Sequence, residues 1–222
     1  MKIPFADIKR QYHSIQTEVH EAINEVLNDT AFVRGKYVNR FEENFSQMYG
    51  VKNVIGVGNG TDAIYLALRA LDIGPGDEVI TVCNSWISTS EVIGQVGATV
   101  KFIDIESDNF NIDVNLVERE ISEKTKAIIP VHLYGQPVKN FDKLVQIAEK
   151  YSLYIIEDCA LPVVVSSETP LTSFNNSLYS LCIIAVKSPP SSSNILGFQS
   201  GLPTIVCLIH HRYSSSVSPF HA

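Results

Sequence analysis

Between residues 53 and 159, short apolar runs alternate with segments of helical period, and no other feature constrains the chain as strongly. "NVIGVG", "EVITVC", "TVKFIDI", "KAIIPVHL" and "LYIIED" read as strands. Between them, "TDAIYLALRAL", Trp86 to Val96, Val114 to Ile121 (with Asp113 as its cap) and Asn140 to Tyr151 read as helices. Strands that recur at this spacing with a helix between them pair in parallel, because each helix carries the chain back across the sheet. The expectation is therefore an α/β fold, a three-layer sandwich with a mostly parallel sheet. Two amphipathic helices precede it. One follows Asp7 and carries a stripe of Ile8, Tyr12, Ile15, Val19, Ile23 and Val26. The other is "KYVNRFEENFSQMYG", with Val38, Phe41, Phe45 and Met48 on one face and Gly50 at its end.

After residue 160 the character of the sequence changes. Of 41 charged side chains (17 basic, 24 acidic), only Glu168, Lys187 and Arg212 fall there, alongside fourteen serines. No sustained helical or strand period continues. Residues 1–160 thus read as one folded unit, and 161–222 as a Ser/Pro-rich divergent tail that either joins it or lies outside the native fold. A disordered extension has this charge-poor, Ser/Pro-rich composition. The many Ile, Leu, Val and Phe residues of the tail instead favour an altered reading frame. The net charge of −7 argues against nucleic acid or an anionic membrane as the main partner. The longest apolar run, around Leu181 to Val186, is too short for a bilayer span. Four cysteines without metal or redox spacing, and no signal peptide after "MKIPFADIKR", point to a cytoplasmic chain.

Ligands of open α/β sheets collect at the carboxyl ends of the strands, and four such ends carry unusual residues. "GVGNGTDAI" opens a helix directly from a glycine-rich turn, offering free N–H groups and the Thr61 hydroxyl to a phosphate. A plain tight turn, with Asp62 favouring the first helical turn, explains it equally well. Gly56 and Gly58 match the first two glycines of a dinucleotide fingerprint, but Thr61 occupies the third position. In "VCNSWIST", Trp86 either lies over a flat cofactor ring or belongs to the core. In "PVHLYGQP", His132 either contacts a cofactor or is a hydrogen-bonded core histidine, with Tyr134 beside it. Asp158 ends the last strand, where a buried carboxylate requires a partner. A protonated pyridine nitrogen would be one; a helix N–H or a salt bridge would be another.

A phosphate turn, a ring-stacking aromatic and an acid for a pyridine nitrogen, in that order, form the layout of a pyridoxal-phosphate site. Residues 1–160 resemble the DegT-type nucleotide-sugar aminotransferases, fold-type I enzymes, through "IPFADIKRQY", "FVRGKYVNRFEENF", "GVGNGTDAIYLALRAL", "GPGDEVIT", "PVHLYGQP" and "IIEDCA". The resemblance implies pyridoxal 5'-phosphate as cofactor, glutamate as the common amino donor and a nucleotide-linked keto-sugar as acceptor. It implies that Gly60, Thr61 and Asp62 cradle the phosphate, Trp86 stacks on the ring and Asp158 pairs with its nitrogen. It also implies a homodimer whose sites are completed across the interface.

The chain departs from the family pattern after Ala160. Leu161 and Pro162 stand where the family has Gln and a small residue, and the lysine motif Ser-Phe-x-Pro-x-Lys-Asn-Leu-Gly is missing. Lys187 lies 29 residues beyond Asp158 (187 − 158), near the family's separation, and is the candidate Schiff-base lysine. On this reading the chain is a truncated and inactive aminotransferase, and its dimer is in doubt. Two further readings stand beside it: a non-catalytic phosphate- or cofactor-binding fragment, and a nicotinamide-dependent oxidoreductase. Arg34 and Lys36 in "FVRGKY" either approach an anionic substrate or are solvated.

Overall fold

The computed structural model describes residues 7–49 and 53–159, together with the backbone of two later strands at 183–187 and 204–208. Helix α1 (Ile8–Asn28) starts where Asp7 accepts the Arg10 N–H at 3.0 Å. None of its residues is buried, so its apolar stripe lies open among the described residues. Helix α2 (Lys36–Tyr49) does pack: Phe45 is buried, and Glu42 Oε1 accepts the Gly56 N–H at 2.9 Å from the first strand.

The strands are β1 (Val54–Val57), β2 (Glu78–Val82), β3 (Thr99–Ile103), β4 (Thr125–Ile128), β5 (Tyr154–Cys159), β6 (Ile183–Lys187) and β7 (Thr204–Leu208). They form one sheet in the order β1-β7-β6-β5-β4-β2-β3. All ladders are parallel except those of β6, which runs against both β5 and β7. The helices between them are α3 (Gly60–Ala70), α4 (Ser88–Gln95), the single turn α5 (Val114–Val117) and α6 (Phe141–Tyr151).

Successive residues of a strand point to opposite faces, and the central strands are apolar on both. Val79, Ala127 and Ile156 pack against Ala63, Ile64, Leu68, Val92 and Ile93 of α3 and α4. Their neighbours Ile80, Ile128 and Ile155 pack against Val114, Val117, Leu144 and Ile147 of α5 and α6. Helices on both faces of a mostly parallel sheet make the expected three-layer sandwich. One tight turn of this frame requires glycine. Gly97 leaves α4 with φ +86°, and a Cβ there would lie 2.9 Å from Pro75 Cγ.

Three boundaries differ from the sequence expectation. The helix expected from Trp86 begins at Ser88 and ends at Gln95, which leaves Trp86 outside it. The helix expected over Val114 to Ile121 is α-helical for one turn and then tightens to a 3-10 turn over Glu118–Glu120. Strand β4 stops at Ile128 rather than running to Leu133, because Pro130 has no N–H for the ladder. The chain nevertheless stays extended beside β5, through a parallel bridge between Val131 and Asp158. Among the described residues no helix is long and apolar enough to cross a membrane.

Candidate functional site

The carboxyl ends of β1, β2, β4 and β5 share one edge of the sheet because these strands run the same way. Asp158 stands there with only 5% of its surface exposed. Its backbone is held on the β4 side, donating to Pro130 O at 2.9 Å and accepting from His132 N at 3.0 Å. Its carboxylate faces the α3/α4 layer, where the buried Thr89 hydroxyl donates to Oδ2 at 2.9 Å. Ser85 Oγ lies 3.0 Å from Thr89 Oγ1. A hydroxyl has a single hydrogen; that of Thr89 goes to Asp158, so Ser85 is the donor to Thr89. The sequence reading missed both residues. Their i, i+4 spacing in "SWIST" was visible, but the carboxylate they approach lies 69 residues away.

The glycine-rich turn opens α3 with a defined cap. Asn59 Oδ1 accepts the Asp62 N–H at 2.9 Å, while Asn59 Nδ2 donates to Asp62 Oδ2 at 2.8 Å. The first backbone bond of the helix is Ala63 N–H to Asn59 O. The N–H groups of Gly60 and Thr61 precede that bond, whereas the Asp62 N–H is committed to Asn59. In the expected Gly60, Thr61 and Asp62 cradle, Asp62 therefore acts as part of the cap. The Thr61 hydroxyl donates to Ser88 Oγ at 2.7 Å, which joins this turn to the start of α4. Of the glycines that suggested a dinucleotide site, Gly56 lies inside β1 with its N–H bound to Glu42, so only Gly58 belongs to the turn.

Trp86 lies between Ser85 and Ser88 in the chain and is 79% exposed, which removes the core reading. His132 has the opposite character, 6% exposed and bonded at both nitrogens. Nδ1 accepts the Val138 N–H at 3.1 Å, so the ring hydrogen sits on Nε2, which faces Glu157 Oε2 at 3.2 Å. It is a hydrogen-bonded core histidine. Tyr134, two residues on, has φ +56° and is exposed. One ligand atom each from His132, Glu157 and Cys159 lie within 4.8 Å of one another. A neutral imidazole binding a metal through Nε2 would carry its hydrogen on Nδ1, against the Val138 donor. The cluster is thus arranged for hydrogen bonding, on the face of β5 opposite the Asp158 side chain.

The other candidates lie apart. Lys36 is exposed and pairs with Asp29 at 2.6 Å; that carboxylate raises its pKa, and Lys36 in turn lowers that of Asp29. Arg34 is exposed, with φ +46°. Lys187 ends β6, where its backbone pairs with Ile155, while Ile184 pairs with Asp158. Three residues of strand, about 10 Å, separate those two pairs. The ladder therefore does not bring the Lys187 backbone to Asp158. Leu161 and Pro162 lie outside the described residues.

Known proteins resemble this chain in sequence and in fold. A curated transaminase of dTDP-3-amino-3,6-dideoxy-alpha-D-galactopyranose from Aneurinibacillus thermoaerophilus is 42% identical over 158 residues, covering 71% of this chain and 43% of that protein. A pleiotropic regulatory protein from Geobacillus stearothermophilus is also 42% identical, over 160 residues, covering 72% of this chain and 43% of its own length. Among solved structures, S. venezuelae DesV in complex with a ketimine intermediate matches with TM-score 0.70 and 36% identity, over 73% of this chain and 43% of that one. NtdA from Bacillus subtilis with bound cofactor PMP matches with TM-score 0.68 and 35% identity, over 73% of this chain and 37% of that one. The chain thus spans less than half the length of these relatives. The pattern that defines one family matches from residue 13 to residue 165: the chain belongs to the DegT/DnrJ/EryC1/StrS aminotransferase family.

Proposed function

We propose that this chain carries the cofactor-binding face of a pyridoxal-phosphate-dependent aminotransferase acting on a nucleotide-linked keto-sugar, with an amino acid, glutamate by expectation, as donor. The observation that carries the reading is the start of α4. Within five residues it presents the exposed Trp86 and hydroxyls bonded both to Thr61 of the phosphate-type turn and to the buried Asp158. These donors fit the group. Two helix-start N–H groups suit a phosphate, a solvent-facing indole suits a flat ring, and a buried carboxylate suits a cationic ring nitrogen. The curated relatives include transaminases of dTDP- and UDP-linked sugars, which supports the substrate class.

In this reading Gly60 and Thr61 hold the phosphate through their N–H groups, and Trp86 covers one face of the ring. Asp158 would pair with the ring nitrogen and favour its protonated form, acting through its charge and not as the proton carrier. Bound pyridoxal phosphate supplies the electron sink for moving an amino group. Lys187 is the sequence candidate for attachment, although the ladder sets its backbone opposite Ile155 and not Asp158. The protein as a homodimer belongs to the same proposal.

Titration of the full chain with pyridoxal phosphate tests the reading, because Trp86 is the only tryptophan and reports binding by its fluorescence. Saturable quenching is expected, weakened about tenfold to a hundredfold by Asp158→Asn. If the chain is catalytically competent, borohydride reduction followed by peptide mapping places the fixed adduct on Lys187. Adducts scattered over surface lysines, or none, would overturn the catalytic assignment. Quenching that Asp158→Asn leaves unchanged would overturn the site.

A further inference from the structure

We propose that Thr89 is a positioning residue that aims the Asp158 carboxylate at the cofactor ring nitrogen, with Ser85 fixing the direction of its hydrogen bond; this rests on the cofactor reading above. The backbone of Asp158 is clamped between Pro130 and His132, which sets its Cα but not its side-chain torsions. Thr89 supplies what the strand cannot. It is 1% exposed, its N–H is bonded to Trp86 O at 3.2 Å, and a β-branched residue in a helix has few rotamers. Its hydroxyl is therefore held where Oδ2 meets it at 2.9 Å. Ser85, donating from the other side at 3.0 Å, leaves the Thr89 hydrogen only one destination.

The arrangement also ties the acid to the rest of the site. Ser88, next to Thr89, receives the Thr61 hydroxyl. One segment, residues 85–89, thus sets the acid, the indole and the phosphate turn in mutual register. A valine at position 89 would keep the shape and the rotamer while removing the donor. A serine would keep the donor.

The experiment measures dissociation constants for the full chain and for Thr89→Val, Thr89→Ser and Asp158→Asn by equilibrium dialysis. Two probes are used: pyridoxal phosphate, and its deaza analogue with CH in place of the ring nitrogen. Thr89→Val should weaken pyridoxal phosphate about tenfold or more, and the analogue less than about twofold, because only the nitrogen-dependent contact is lost. Thr89→Ser should behave as the parent. Equal weakening of both probes by Thr89→Val would mean that residue 89 merely supports the fold, and would overturn the assignment. So would a Thr89→Val chain that keeps the parental preference for the nitrogen while Asp158→Asn loses it, an outcome that leaves the cofactor reading intact. A parent chain that binds neither probe overturns both.

Discussion

At the scale of single residues, β5 assigns opposite duties to neighbouring side chains. Asp158 faces the α3/α4 layer and meets Thr89, whereas Glu157 faces the other way and meets His132. His132 holds the segment after β4 in place, since the buried Val138 N–H has its acceptor in Nδ1. Replacing it by alanine strands that N–H and opens a cavity, at a cost of about 2–4 kcal/mol. Asparagine offers an acceptor oxygen near the Nδ1 position and should recover part of the loss. Denaturant unfolding should therefore rank the parent above His132→Asn and His132→Asn above His132→Ala; equal midpoints would refute the structural role. Trp86 should separate stability from binding in the other direction. Its indole is 79% exposed, so Trp86→Ala should change stability by less than about 0.5 kcal/mol. The same change should weaken pyridoxal phosphate binding, read by equilibrium dialysis, by about tenfold. A large fall in melting temperature would mean that the indole is packed.

Whole elements are held in register by a few polar groups at strand mouths and loops. Glu78, at the start of β2, accepts the Ser122 hydroxyl at 2.6 Å and lies 3.4 Å from that of Thr125 at the start of β4. The Ser122 hydrogen bond, more than the nearby Lys101 charge, holds its pKa below the ordinary carboxylate value. A carboxyl whose folded pKa is depressed stabilises the fold above its unfolded pKa, and loses that contribution as pH falls through the folded one. The parent should therefore be more stable than Glu78→Gln near neutrality, and the gap should close on acidification below the normal glutamate range. A gap that widens with acid would contradict the sign. Asn111 plays a similar part for the loop after β4, donating to Gln136 O at 2.9 Å and accepting from Leu133 N at 3.0 Å. Elements of strong period, such as α3, α6 and β5, were legible in the sequence to within a residue or two. The Asn59 cap, the 3-10 turn at Glu118–Glu120 and the link from Ser85 through Thr89 to Asp158 were not, because each depends on which hydroxyl or amide the tertiary fold brings close. The types of the candidate site residues could be read from the sequence; the groups that orient them could not.

At the scale of the molecule, the sheet closes through strands that carry no readable period. β6 takes Ile183 to Val186 of the apolar run around Leu181 to Val186 and ends just past it at Lys187, and β7 is "TIVCL". Continuous apolar runs suit strands covered on both faces, but they lack the alternation that would announce them. Their place in the order gives them a distinct mechanical role. β7 is the only described ladder partner of β1, and β6 links β7 to β5. The phosphate-type turn after β1 and the acid on β5 are thus connected through the sheet by these two strands. Helix α3, which contacts β1, β5, β6 and β7, connects them a second time. A proline at Val206, whose backbone pairs with both Ile55 and Ile184, removes a donor from a central strand and should break the first connection. Amide exchange in Val206→Pro should therefore accelerate at Val54 to Val57 and remain slow at Val79 to Val82 and Ile128. Those amides belong to the β3-β2-β4-β5 half of the sheet, which has its own core on both faces. If β1 kept its protection, α2 and α3 alone would hold it, and β7 would be dispensable. If every strand lost protection together, the sheet would unfold as a single cooperative unit.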